Sequence, residues 1–202
     1  MPAKSQRDRA VELARRRGIL TSREATRKGI HSQVLTRLVS DGVLDRVARG
    51  QYRLPDAPIG EHHALALVAS AVPAGVICLL SALAFHGIGT QMPLRVWVAI
   101  DRRARGPTVD WPPLRVVRFG GEALTSGVEV HHVEGVAVRV FAPAKTVADL
   151  FKYRNKVGLD VALEALRDVW SRNLATIDEL HRYARVCRVE RVMRPYLEAT
   201  VA

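Results

Sequence analysis

The side chains best suited to chemistry early in the chain are Ser32, Gln33, Thr36 and Arg37, followed by Arg46, Arg49 and Arg53. Hydroxyl, carboxamide and guanidinium groups within two helical turns are the donors and acceptors that read base edges in a major groove. Arginines on a following hairpin reach a phosphate backbone or a neighbouring minor groove, and Arg23, Arg27 and Lys28 add positive charge just ahead of them. The same residue types also make an ordinary solvated face on a module that serves protein contacts alone. Other chemistry is less well supported. His62-His63 and His131-His132 are adjacent pairs whose rings diverge on a helix and oppose on a strand, so neither pair makes a two-ligand metal site by itself. Asp101, Asp110 and Glu122 can be assembled into a nuclease-like carboxylate cluster, although no spacing requires it. Lys145 and Asp149 have ordinary helical ion-pair spacing. His86, behind an apolar helix face, reads as a satisfied, partly buried histidine. HExxH, CxxC, P-loop, GxGxxG and GxSxG patterns are absent from the sequence. No catalytic residue, metal ligand or cofactor is expected.

Charge says where an anion would bind. The chain has 202 residues and a formal net charge of +11. Residues 1–58 carry 13 Lys and Arg against 6 Asp and Glu, a net of +7, and residues 59–202 carry 18 against 14, a net of +4. An anion-binding N-terminal module joined to a larger, nearly balanced domain is the implied organisation. Hydrophobic residues make up 48% of the chain, enough for a sizeable core. No membrane-span-length apolar run, signal peptide or disulfide framework is visible, which predicts a cytoplasmic protein.

The elements that would position these residues follow from periodicity. Residues 7–17 carry a helical apolar stripe ended by Gly18, and Thr21-Ser22-Arg23-Glu24 has capping-box spacing. A short second helix ends at Gly29. A third runs from His31 or Ser32 to Ser40, burying Val34, Leu35, Leu38 and Val39 and exposing the candidate base readers. Residues 43–47 and 51–54 then alternate around Ala48-Arg49-Gly50 as a basic hairpin. Three short helices and a hairpin over residues 1–58 are the layout of a winged helix-turn-helix. Residues 59–202 predict a mixed domain, with a small antiparallel sheet over about 95–141, a hairpin tip at Glu134-Gly135 and helices over about 143–199. The predicted class is therefore α+β. Arg182, Arg185, Arg188, Arg191 and Arg194 make one end basic, which is either a second contact surface for nucleic acid or an acidic protein, or a solvated face.

Four stretches taken together resemble AbiEi-type antitoxins of type IV toxin–antitoxin systems. They are the wing Arg49-Gly50-Gln51-Tyr52-Arg53-Leu54; residues 76–87, VICLLSALAFHG; the strand Val96-Trp97-Val98-Ala99-Ile100 after Pro93; and residues 144–154, AKTVADLFKYR, leading to Gly158-Leu159-Asp160. The resemblance runs in the family's order from about residue 8 to 197. It implies a winged helix that binds inverted repeats in its own promoter as a transcriptional repressor. It also implies a C-terminal domain that counteracts a cognate AbiEii-type nucleotidyltransferase toxin in phage defence, without a stable complex in the usual type IV description. The alternatives are a stand-alone transcription factor with a ligand- or protein-sensing second domain, and a metal-dependent DNA-processing enzyme using Asp101, Asp110 or Glu122.

Overall fold

The first helix, α1 (Gln6–Arg17), opens where the Ser5 hydroxyl accepts the Asp8 N–H at 3.1 Å in the computed structural model, which describes residues 4–201. It buries Ala10, Leu13 and Ala14 and ends at Gly18, whose φ of +70° suits glycine. After β1 (Leu20–Thr21), α2 (Ser22–Arg27) is capped by Thr21, which accepts the Glu24 N–H at 3.1 Å. The Glu24 carboxylate turns instead to Arg17 Nε at 3.0 Å, so one arm of the expected capping box forms and the other becomes an ion pair. The third helix, α3 (Ser32–Ser40), starts at His31, whose backbone N–H donates to Gln6 Oε1 at 2.9 Å. Leu35 and Leu38 pack with Ala25, Ile30 and Leu44, and each fully buried leucine contributes about 1.5–3 kcal/mol. The wing strands β2 (Asp45–Ala48) and β3 (Gln51–Arg53) complete an antiparallel sheet of order β1-β3-β2, with Leu20 opposite Tyr52 and a bulge between Arg46 and Ala48. These elements form a winged helix-turn-helix.

The next helix, α4 (His63–Ala71), belongs to the same compact unit, as do residues 107–113 and 131–138. This first unit therefore extends beyond the 1–58 boundary read from the sequence. Its reason is a small apolar cluster of Ile19, Ala66 and Leu67 packed with Val47, Val133 and Val136. Polar contacts reinforce it. Gln51 Nε2 donates to the Leu67 carbonyl at 2.9 Å, and the Glu134 carboxylate accepts the Gly60 N–H at 2.8 Å and meets His63 Nδ1 at 2.6 Å.

Among the described residues, the second unit comprises 74–106, 114–130 and 139–201. It contains β4 (Val76–Ile77), α5 (Leu79–His86), β5 (Val96–Asp101), β6 (Leu114–Phe119) and α6 (Glu122–Thr125). The hairpin strands β7 (Val128–Val133) and β8 (Val136–Phe141) meet at Glu134-Gly135, both at positive φ, as a two-residue hairpin turn requires. Sheet order is β6-β5-β4-β8-β7. The pair β4·β5 is antiparallel, with Val76 opposite Ala99, whereas β4·β8 and β5·β6 are parallel, with Ile77 opposite Val140 and Val96 opposite Leu114. The small sheet expected over 95–141 is thus present but mixed, because the 102–113 connection returns the chain so that β6 runs in the direction of β5, and β4 inserts in the middle.

Helices follow: α7 (Pro143–Lys152), α8 (Arg154–Val157), α9 (Leu159–Ser171), α10 (Ile177–Val186) and α11 (Glu190–Val201). α7 is buried on all sides from Ala144 to Phe151, including Lys145 and Asp149, and packs with Leu166, Val169, Leu180 and Met193 in one core. A full capping box between Thr176 and Glu179 starts α10. Among the described residues no helix is long and apolar enough to cross a membrane.

Candidate nucleic-acid interface

The amphipathic pattern of α3 places Leu35 and Leu38 inward and leaves Ser32, Gln33, Thr36, Arg37 and Ser40 exposed. Two of its hydroxyls are bonded to their own helix: Thr36 Oγ1 donates to the Ser32 carbonyl at 3.3 Å and Ser40 Oγ to the Thr36 carbonyl at 3.1 Å. Their protons are committed to the backbone, so outward they offer acceptor lone pairs. Beside them Gln33 offers both donor and acceptor, and Arg37 a fork of donors. Gln33 and Arg37 share a hollow of about 220 Å³ with Gln6, His31 and Val34. The face thus presents both the donors and the acceptors that distinguish base pairs in a major groove.

A second, larger hollow of about 670 Å³ gathers Arg23, Arg27 and Arg49 with Arg17 and Ser22. The Ser22 N–H donates to the Gly50 carbonyl at 2.8 Å, which fastens the wing tip to the start of α2 and holds Arg49 near Arg23. Gly50 sits at φ +69° where the turn needs it. Arg17 is the cation that sequence reasoning omitted from this group. Its signal was the basic last turn of α1, Arg15 to Arg17, although its Nε is engaged by Glu24. Lys28 and Arg46 are exposed but line neither hollow.

Arg53 is a correction. Expected on the outer face of the wing, it is 4% exposed. Its Nε donates to the Leu54 carbonyl at 3.1 Å, and its terminal NH2 donates to the Ala57 carbonyl. A guanidinium spent on backbone acceptors at the end of β3 secures the exit from the wing and is not available to phosphate.

Elsewhere the candidates for chemistry are occupied locally. His86 Nε2 lies 2.9 Å from the Phe141 carbonyl, which can only accept, so that nitrogen carries the proton. Asp101 Oδ1 accepts the Arg103 N–H at 2.7 Å. Among the described residues, no group of three or more His, Cys, Asp or Glu stands together to hold a metal ion. Lys145 and Asp149 form a pair with no exposure at either side chain, Nζ to Oδ2 2.5 Å, and the Cys187 thiol donates to Asp149 Oδ1 at 3.1 Å. Burial pushes the Asp149 carboxyl above its ordinary range, against the opposing pull of the Lys145 ammonium and the thiol. Burial likewise pushes the thiols of Cys78 and Cys187 up, so both are held as inert thiols.

Three comparisons bear on this arrangement. No protein of curated function matches the chain. The crystal structure of the RV2827C protein from Mycobacterium tuberculosis aligns with a TM-score of 0.58 at 16% identity, covering 90% of this chain and 72% of that one. At that identity the likeness is one of fold, and it spans both units. In sequence, residues 8–55, which run from α1 to just past β3, match the family model described as transcriptional regulator, AbiEi antitoxin.

Proposed function

We propose that the chain is a DNA-binding transcriptional repressor and antitoxin acting in the cytoplasm. The first unit binds repeats in its own promoter, and the second counteracts a cognate nucleotidyltransferase toxin. The observation that carries the DNA reading is the joint placement of two groups on one winged helix-turn-helix: the exposed Ser32, Gln33, Thr36 and Arg37 of α3, and Arg23, Arg27 and Arg49 in a single hollow. The family match over residues 8–55 supports the same reading. In mechanism, the arginines bind phosphates and set the register while α3 reads base edges. The antitoxin half is supported by that family match, with the resemblance of residues 76–87 and 144–154 lying outside the matched region.

A salt-titrated gel shift of the full chain on its own upstream region, with scrambled DNA as control, tests the first half. Preference for the upstream region, weakened by Gln33→Ala and Arg37→Ala with the preference reduced, is the expected result. Equal binding to both DNAs overturns the promoter reading. Co-expression with a neighbouring nucleotidyltransferase gene tests the second half: restored growth is expected, and unrelieved toxicity removes the antitoxin role.

A further inference from the structure

Within the second unit a cleft of about 730 Å³ opens between the end of β6, the Gly120-Gly121 turn and the C-terminal ends of α7 and α10. Six cations line it, Arg102, Arg118, Lys152, Arg182, Arg185 and Arg188, and Glu122 is the one carboxylate among its lining residues. Each helix end contributes about half a negative charge. With those two termini and Glu122 set against the cations, a surplus of about four positive charges remains, more than capping two helices requires.

The contacts that hold these side chains do not neutralise them. One Arg118 terminal nitrogen donates to the Arg102 and Ala104 carbonyls at 3.0 and 2.8 Å, and Arg182 donates to the Tyr183 hydroxyl at 2.6 Å. Arg185 stands 3.8 Å from an exposed Glu190, a weak pair. Both arginines held by neutral partners keep their charge in a fixed position, which lowers the ordering cost of binding an anion. Gly120 is part of the construction: a Cβ there would stand 2.5 Å from Arg102 Nε, so the bare backbone lets the Arg102 side chain lie against the turn.

Shape and the aromatic wall select the ligand. The volume falls in the range of small-molecule sites. Tyr153, at the wall, has its ring engaged by Phe119 at 5.6 Å and by the Lys156 ammonium at 5.6 Å, so it is not an open platform for stacking a base. We infer that this cleft binds a polyphosphate anion of nucleotide size, recognised through its phosphates with the base unread.

Calorimetric titration of the full chain with AMP, ATP, GTP and inorganic tripolyphosphate at constant ionic strength tests it. ATP, GTP and tripolyphosphate are expected to bind alike, and AMP about tenfold or more weaker. Lys152→Ala and Arg102→Ala, both at exposed positions, should each weaken ATP binding about tenfold by removing a charge-assisted contact. Arg167→Ala, exposed on α9, and Arg49→Ala in the first unit should leave it unchanged, which separates this site from the promoter-binding surface. Absence of saturable binding overturns the inference. So does an equal loss in Arg167→Ala, a strong preference for one base, or cleft variants that weaken nucleic-acid binding while no nucleotide binds.

Discussion

Replacing Asp149 by Asn keeps the side-chain volume and removes one charge from the inside of α7. Lys145 Nζ and Asp149 Oδ2 are 2.5 Å apart, and neither side chain is exposed. The ammonium also lies 4.0 Å from the Phe141 ring centroid and 5.0 Å from that of Phe119. Ring faces and a neutral amide hold a cation less well than a carboxylate does, so D149N leaves a buried charge without its counterion. Breaking such a pair costs about 3–5 kcal/mol, against total domain stabilities of about 5–15 kcal/mol. The unfolding equilibrium of the second unit then moves by roughly two to three and a half powers of ten. In urea, with an m-value of about 2 kcal/mol/M, the midpoint falls by roughly 1.5–2.5 M, read by circular dichroism at 222 nm. The double variant K145M/D149L removes both charges and keeps apolar volume, and it should recover most or all of that loss. A cost below about 1 kcal/mol for D149N would refute the reasoning. A double variant as unstable as the single one would do the same.

Four further outcomes are expected. Arg49→Ala should lower the slope of log affinity against log salt on promoter DNA by about 0.9, the share of one phosphate contact. Arg53→Ala should leave that slope unchanged while destabilising the first unit by about 1–3 kcal/mol through the carbonyls it abandons; a changed slope would return Arg53 to the interface. Gly18→Ala places a Cβ 1.5 Å from the Glu134 carbonyl oxygen at φ +70°. It should cost about 3 kcal/mol or more in a thermal melt, and wild-type melting would show that the contact is not kept in solution. Desolvation first, and then the charge of Asp149, push the Tyr153 phenol up to about 12. Between pH 10 and 12 the folded chain therefore keeps a proton that the unfolded chain gives up, so stability falls as pH rises through that window. Absorbance at 295 nm should show one of the four tyrosines ionising late, and Tyr153→Phe should abolish that late step while easing the alkaline loss.

The winged helix was legible because its signals are local. The stripe of α3, the breakers at Gly18 and Gly29 and the change of period at the wing need only a few neighbouring residues each. Arg53 was not legible, since β3 alternates so that Gln51 and Arg53 share a face with Tyr52 opposite, and the polar face is the buried one. Where both faces carry polar groups, alternation does not say which is inside. The i,i+4 spacing of Lys145 and Asp149 suits a solvated face equally well, and what encloses them includes the Phe119 and Phe141 rings of the sheet and Cys187 after α10, which local spacing does not reveal. The same limit hid the parallel pairing of Ile77 with Val140, a contact across more than sixty residues of chain. In the candidate interface, exposure of the α3 residues followed from the stripe. The gathering of Arg23, Arg27 and Arg49 did not, because it depends on a backbone bond from Ser22 to Gly50.

The first unit takes residues 107–113 and 131–138 from far along the chain, and this sets a timetable on the ribosome. Residues 1–73 emerge as a contiguous stretch, yet Val133 and Val136, which cover Ala66 and Leu67, come later. The 65 residues from 74 to 138 take roughly 3–13 s at cellular elongation rates. A nascent chain halted within that interval holds its helices and wing without their last apolar cover. The first unit is then complete only once residue 138 has been made, and a product truncated before it would carry the winged helix with Ala66 and Leu67 uncovered.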